Sequence, residues 1–198
     1  MEFHEIVMKR YATKKFDGRK VPEKTFSELM ELIRYSASSY NIQPWRFIVV
    51  TDDKTKKQLK KAAYLQPQID TCSHLIVICA DTRLLKLADR LESLLKKNKV
   101  PLLQRKAYLT VVRSSMKKSP EEALIYAQKQ CYLALGNAIN GAKALGLDSC
   151  PMEGFDREKF AEILALPDHL VPTVICPVGY AADEPHKKMR FDDVVTFL

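Results

Sequence analysis

Three short segments of the chain concentrate side chains that can bind a polar ligand. "KRYATKKFDG" (Lys9–Gly18) places an arginine and a lysine four residues apart, and "YSASSYNIQPWRFIVV" (Tyr35–Val50) sets serines and amides beside the only tryptophan. "CPMEGF" (Cys150–Phe155) is followed much later by "HKKMRF" (His186–Phe191). Together they supply cations, hydroxyls, amides and a bend, which a phosphate-bearing ring system with several carbonyls and ring nitrogens requires.

Each segment also has a plain structural interpretation. A single arginine or lysine is usually a surface charge. Two serines at the end of a helix usually act as a cap, and Pro-x-Glu-Gly usually forms a turn. Residue types alone leave both interpretations open.

Glycine-based motifs are missing from the sequence. Its six glycines form no GxGxxG after a strand, and neither GxxxxGK[ST] nor the GxSxG elbow occurs. Any bound phosphate must therefore be held by side chains, and hydrolase interpretations lose their usual support.

The net charge of +8 allows a rival interpretation, a basic protein that binds nucleic acid or an anionic surface. However, the lysine-rich stretch "DDKTKKQLKKAA" predicts a helix that is polar nearly all round, which is typical of a solvated face. No nucleic-acid-binding module accompanies it. We therefore expect no nucleic-acid partner.

Cysteine and histidine usage predicts reduced thiols in the cytoplasm. The five cysteines form no CxxC pair, and the four histidines show no ligand spacing, so we expect no metal site. The longest apolar run, Leu75–Ala80, is too short to span a bilayer, and the N-terminus resembles no secretory signal. We expect no membrane association.

The elements that must position these segments follow from apolar periodicity and capping signals. Strands are predicted at Arg46–Val50, His74–Ala80, Asp148–Cys150, Pro172–Val178 and in the final "FDDVVTFL". Helices are predicted near Phe3–Met8, from Pro22 to about Ser36, from a cap at Thr51 or Asp52 to near Ala63, over Thr82–Ser115 with a break at Pro101, and from Asp156 to Leu164. This mixture indicates one α/β or α+β domain over residues 1–198.

The longest predicted helix begins with the capping box Ser119-Pro120-Glu121-Glu122 and ends near Leu145, before Gly146. Its interior is rich in alanine and glycine, which lets another backbone approach closely. This pattern favours the core of a dimer and a central helix of a monomer about equally.

The motifs resemble, in order, those of the nitroreductase family of FMN-dependent oxidoreductases. "KRYATKKFD" resembles the family pattern R-x-S-x-(K/R)-x-F, and "SASSYNIQPWRFIVV" resembles S-P-S-S-x-N-x-Q-P-W-x-F. "ALGLDSCPMEGFD" resembles A-x-G-L-G-x-x-x-x-P-x-x-G-F, and "KKMRF" resembles the C-terminal K-x-R. The resemblance implies a three-layer α-β-α fold of the α+β class with a mostly antiparallel sheet. It also implies an intertwined homodimer whose C-terminal strands are exchanged.

The resemblance further implies the residues that bind FMN at the dimer interface. Arg10, Lys188 and Arg190 would bind the phosphate, and Lys14 would stabilise negative charge at the pyrimidine edge. A backbone N–H of Glu153 or Gly154 would point at the ring nitrogen that accepts hydride, so Lys14 and Glu153 are the predicted catalytic residues. The remaining predicted cofactor contacts are Tyr11, Ala12, Ser38, Ser39, Asn41, Gln68 (with Gln66 as its alternative), Gln130, Pro151 and Met152.

The sequence departs from the family pattern in two places. Tyr11 and Ala12 replace the commoner basic residue and serine, so one hydroxyl contact is lost or moved. Residues 84–115 match poorly in the region that shapes substrate choice. The implied reaction is ping-pong hydride transfer from NADH or NADPH to a small-molecule acceptor, which is a nitroaromatic, quinone or pterin. A flavin reductase or a dehalogenase of the same superfamily is the alternative.

Overall fold

The computed structural model describes residues 2–198 and mixes helices with one sheet. The helices are α1 (Phe3–Lys9), α2 (Glu23–Arg34), α3 (Asp53–Ala62), α4 (Gln68–Thr71), α5 (Leu84–Lys97), α6 (Leu102–Met116), α7 (Pro120–Ala144) and α8 (Arg157–Ile163). The strands are β1 (Trp45–Val50), β2 (His74–Asp81), β3 (Asp148–Ser149) and β4 (Leu170–Gly179). Except for the short helix α4, which the sequence does not predict, and the C-terminal segment, these are the elements that the sequence predicts.

The four strands form one sheet in the order β1-β2-β4-β3, and every pair of neighbours is antiparallel. The central strand β2 is the predicted apolar run "HLIVICA", and its side chains are buried on both faces of the sheet. Trp45 pairs with Ala80 at one end of β2, and Val178 pairs with His74 at the other.

Alternating side chains of β2 face two different helical layers. Ile76 and Ile78 belong to a core formed with α2 and α7, whereas Leu75 and Val77 belong to a core formed with α3, α4 and α8. This alternation follows from the two-residue period of a strand. The three-layer α+β architecture predicted above is confirmed.

Helix α7 begins with the predicted capping box, in which Ser119 and Glu122 each accept a hydrogen bond from the other's backbone N–H. Several of its small residues are buried in the chain's own core. A Cβ on Gly141 would lie 3.2 Å from side-chain atoms of both Leu29 and Leu32 of α2. The structure therefore bears out the central-helix interpretation for this part of α7.

The antiparallel pair α5–α6, which we call the helical hairpin (residues 84–116), has a small core of its own. Leu87, Leu91 and Val112 pack there against Ile42 and Ala123 of neighbouring segments. Arg113 of α6 forms ion pairs with Asp89 and Glu92 of α5. The hairpin thus packs beside the three layers and is not inserted between them.

The final segment "FDDVVTFL" forms no strand with any part of the described chain. Its apolar side chains Phe191, Val194, Val195 and Phe197 are largely exposed. The strand was predicted to pair with a second copy of the chain, so strand exchange stays a prediction.

Within residues 2–198, every helix is too short or too polar to cross a lipid bilayer. The five cysteines are free thiols, and all are buried. No group of three or more His, Cys, Asp or Glu side chains in the described part of the chain is arranged to hold a metal ion.

Candidate functional site

The basic segment, Arg10–Lys14, leaves the end of α1 and runs alongside the edge strand β3. Ala12 forms a parallel bridge with Ser149, and the Thr13 N–H donates to the Ser149 carbonyl at 3.2 Å. These backbone contacts carry the segment past Cys150. They bring Lys14 beside the bend Pro151–Gly154, a pairing that the sequence separates by more than one hundred residues.

In the described part of the chain, the Lys14 ammonium forms no direct ion pair, although a carboxylate binds its backbone N–H. Its backbone N–H donates to Oδ2 of Asp183 at 2.7 Å, and its Nζ lies 3.7 Å from the Cys150 sulfur. Among residues 2–198 no carboxylate lies within ion-pair distance of this ammonium. The Tyr11 hydroxyl donates to the Asp183 carbonyl at 2.7 Å and fixes the segment from the other side.

Three predicted phosphate ligands gather near α1. The Lys188 ammonium donates to the Val7 carbonyl, and its pKa is lowered by burial and by the positive charges of Arg10 and Arg190. Both guanidinium groups therefore lie close enough to the Lys188 ammonium for their charges to act on it. Next to them lies a cavity of about 670 Å³ whose lining includes Lys9, Tyr11, Lys143, His186, Lys187 and Lys188.

The bend Pro151–Gly154 is fixed by the sheet and by two glutamines. Met152 exchanges two backbone hydrogen bonds with Ile175, of 2.9 and 3.0 Å. The Gln66 amide donates to the Gly154 carbonyl at 2.8 Å, and the Gln68 amide donates to Gln66 Oε1 at 3.2 Å. Both glutamines that the sequence left open as alternatives therefore lie at the bend.

The members of the bend differ in exposure. Glu153 and Gly154 are exposed and Pro151 is half-buried. The Met152 side chain instead packs in the core on the α3–α8 face. The structure therefore presents the main chain of the bend to solvent, with Met152 as its anchor in the core.

Two buried hydroxyls beside the basic segment have no hydrogen-bond partner in the described chain, Thr13 Oγ1 and Ser149 Oγ. An unsatisfied buried hydroxyl costs about 1–3 kcal/mol. Sequence reasoning missed both residues, because threonine and serine at a strand edge carry no distinctive signal.

The serine turn, Ser38–Gln43, connects α2 to β1. Tyr40, Asn41 and Gln43 have φ values of 54°, 50° and 49°, in the left-handed region, although none of them is glycine. Side chains hold this backbone: Ser38 Oγ accepts from the Gln43 N–H at 3.0 Å, and Asn41 Oδ1 accepts from Gln43 Nε2 at 2.9 Å. Strained backbone that its surroundings hold in place is a frequent feature of functional sites.

Helices α6 and α7 hold the serine turn from outside. Gln130 Oε1 accepts from the Ser39 N–H at 2.9 Å, and the Tyr108 hydroxyl donates to the Tyr40 carbonyl at 2.9 Å. Burial raises the pKa of Tyr108, which keeps its hydroxyl protonated. The helical hairpin therefore lies directly against the turn.

Within a single chain, the serine turn lies apart from the basic segment and the bend. The serine turn leads into Trp45 on edge strand β1, opposite Ala80, whereas Ser149 lies on the other edge, level with His74. The six residue-to-residue steps from His74 to Ala80 correspond to about 20 Å along the strand. Among residues 2–198 no hydrogen bond links Ser38, Ser39, Asn41 or Gln130 to the basic segment or to the bend.

Comparison with known proteins supplies independent findings. A family model described as "Nitroreductase family" matches residues 7–180. A Staphylococcus haemolyticus protein, provisionally named an NAD(P)H nitroreductase, is 33% identical over 204 residues, which cover 96% of this chain and 94% of the relative.

Solved structures match over the whole chain. A provisionally named NAD(P)H:FMN oxidoreductase from Staphylococcus epidermidis has a TM-score of 0.92 at 27% identity and covers 100% of this chain and 96% of its own. A protein from Exiguobacterium sibiricum, solved in complex with FMN, has a TM-score of 0.88 at 24% identity, with 100% and 98% covered. At that identity the second likeness concerns the fold.

Proposed function

The chain belongs to the nitroreductase family, and on that premise we propose that it is an FMN-dependent NAD(P)H oxidoreductase. Its acceptor is a small molecule of the nitroaromatic, quinone or pterin class, and residues 1–198 act as one domain. The observation that carries the proposal is the position of the Lys14 ammonium at Cys150, next to the bend, together with the mutual proximity of the cations Lys188, Arg10 and Arg190. The names of the relatives support the same activity.

The donor set fits a flavin phosphate without a glycine loop. Arginine can contact a phosphate through two N–H groups at once, and lysine adds a point charge. The partnerless hydroxyls of Thr13 and Ser149 offer further hydrogen bonds on the same segment. They are candidates to replace the hydroxyl that Ala12 lacks.

The chemistry that bound FMN supplies is hydride transfer in two halves, from NADH or NADPH and then to the acceptor, in ping-pong order. The chain's own part is electrostatic and positional. Lys14 holds a fixed positive charge that stabilises negative charge developing on reduction. The Glu153 and Gly154 backbone, tied down through Met152 and Gln66, holds its N–H groups ready to donate.

The separation of the two polar groups supports a homodimer with shared sites. The basic segment and the bend of one protomer would form one wall, and the partner's serine turn would form the other. The exposed apolar side chains of "FDDVVTFL" are suited to add an edge strand to the partner. The buried free thiols fit a cytoplasmic location.

Spectroscopy of the purified protein tests the proposal. The protein should be yellow with the absorbance of oxidised flavin, and anaerobic NADH or NADPH should bleach it in stopped flow without any acceptor. A panel of nitroaromatics, quinones, pterins and haloaromatics then separates nitroreductase from flavin reductase and dehalogenase activity. A colourless protein that binds no added FMN but retains RNA would overturn the proposal in favour of a basic binding protein.

A further inference from the structure

The Cys150 sulfur is the meeting point of two polar side chains assigned above to the flavin site. Lys14 Nζ donates to it at 3.7 Å, and Gln68 Nε2 lies 4.0 Å away. Its own S–H is directed at the Pro151 carbonyl, with a sulfur–oxygen distance of 3.9 Å. Cys150 is fully buried, and its backbone N–H donates to the Pro177 carbonyl at 3.1 Å. The sulfur is therefore held by the sheet while it contacts both side chains.

A thiol is an unusual partner for a lysine in this chain. The half-buried lysines nearby pair with carboxylates: Lys60 lies 3.0 Å from Asp70, and Lys143 lies 2.9 Å from Asp148. Those pairs offset the positive charge. A buried thiol stays neutral, since burial raises the pKa of Cys150 above its ordinary value. It can accept a hydrogen bond and leave the ammonium charge in full.

We propose that Cys150 is a positioning residue, whose neutral sulfur holds the Lys14 ammonium and the Gln68 amide beside the bend without offsetting the lysine charge. The inference rests on the proposed function, since the held charge acts on the flavin. A carboxylate at this position would hold Lys14 equally well but cancel its charge, and an alanine would leave the lysine unheld.

Three variants separate these effects through the midpoint potential of the bound FMN and the rate of its reduction by NAD(P)H. Cys150→Ser, which keeps a neutral acceptor, should stay close to wild type in both. Cys150→Ala should slow reduction about 3- to 10-fold and shift the potential to more negative values. Cys150→Asp should shift the potential further, towards that of Lys14→Ala. If Cys150→Asp does not fold, the alanine and serine variants still decide.

Cys79→Ala is the matched control, because Cys79 is equally buried but lies on β2 between Arg46 of β1 and Pro172 of β4, away from Cys150. It should lower the thermal unfolding temperature and leave the flavin potential unchanged. The decisive comparison adds Cys150→Ala to Lys14→Ala: if Cys150 acts through Lys14, the double variant has the same potential and reduction rate as Lys14→Ala alone. Full additivity would overturn the inference, as would a Cys150→Ala protein with wild-type potential and rate. Failure of wild type to bind FMN would instead overturn the proposed function.

Discussion

The basic segment and the serine turn both display polar groups, but they differ in how far those groups are used within the chain. In the serine turn, Ser38 Oγ, Asn41 Oδ1 and Gln130 Oε1 each already accept a hydrogen bond from the turn itself. In the basic segment, the Lys14 ammonium forms no ion pair and Thr13 Oγ1 no hydrogen bond with any residue that the structure describes. The acceptors of the serine turn are therefore used within the chain, whereas the basic segment still has a cation and a hydroxyl available to bind a ligand.

This difference indicates distinct roles for the two groups. Unused cations and hydroxyls provide affinity for an anion, because binding removes their unsatisfied state. A turn whose hydrogen bonds are made internally and whose backbone includes three left-handed residues would instead determine the shape of the site. If two chains share a site, loss of the basic segment should abolish cofactor binding, and loss of the turn should mainly alter fit.

The largest expected effect comes from separating the basic segment of one protomer from the serine turn of its partner. Deletion of residues 191–198 removes the exposed apolar tail that is proposed to tie one protomer to its partner. We expect the dimer to dissociate and FMN affinity to fall at least about 10-fold, the equivalent of roughly 1.4 kcal/mol. Analytical ultracentrifugation and fluorescence titration with FMN measure the two results. A truncated protein that stays dimeric with unchanged affinity would contradict strand exchange.

Arg10→Ala tests the affinity assigned to the basic segment. Loss of a charge-assisted hydrogen bond costs about 1.5–3 kcal/mol, so FMN should bind roughly 10- to 100-fold more weakly. Titration of the apoprotein with FMN gives the value. Lys57→Ala, which removes an exposed cation from α3, is the control for net charge and should bind FMN normally. Equal losses in both variants would mean that overall charge, and not this position, holds the phosphate.

Lys14→Ala separates charge at the reacting centre from phosphate binding. FMN should remain bound while its reduction by NAD(P)H slows about 10-fold, in keeping with the loss of one electrostatic contact of roughly 1.4 kcal/mol. Anaerobic stopped flow measures the rate. An unchanged rate would remove Lys14 from the mechanism.

The free energy of unfolding should depend on pH through His74, the first residue of β2. Its ring stacks on Phe26 with centroids 3.7 Å apart. Burial and the nearby charges of Lys20 and Lys56 lower its pKa from 6.5 to about 4. The unfolded chain therefore binds a proton between pH 6.5 and 4 that the folded chain does not, so stability falls as the pH drops through this window. His74→Phe should flatten the decline in urea denaturation series. Parallel curves for the two proteins would contradict this assignment.

The smallest effect is expected at the serine turn. Ser38→Ala removes the acceptor for the Gln43 N–H and should cost about 1 kcal/mol of folding free energy, with only a small loss of FMN affinity. Ser93→Ala, on the exposed face of α5, is the matched serine control and should be nearly neutral. A loss of FMN affinity as large as that of Arg10→Ala would show that the two groups do not divide affinity and shape between them.

Much of the fold could be predicted because its signals are local. Ser119, Asp52 and Asp156 each cap the helix that the sequence assigns to them. The apolar run of β2 needs only its own composition to indicate a buried strand. Helix ends and buried strands depend on neighbours within four or five residues, which a single sequence displays.

The site was predicted less completely because its contacts are not local. The approach of Lys14 to Cys150 depends on the Ala12–Ser149 bridge, for which no residue type is a signal. The left-handed backbone of the serine turn is equally hidden, since it contains no glycine. The resemblance to the family pointed to these segments, whose role at a cofactor site stays a prediction, and the structure added the contacts between them.

The position of the helical hairpin has a consequence for how this protein could diversify. Its core of Leu87, Leu91 and Val112 contains no residue of the sheet, so sequence changes within residues 84–116 would leave the sheet core intact as long as Ile42 and Ala123 stay covered. Since the Tyr108 hydroxyl donates to the Tyr40 carbonyl, each such change would alter the surface next to the serine turn. If the proposed function holds, acceptor preference could then change through the helical hairpin, while the basic segment that is proposed to bind the cofactor stayed the same.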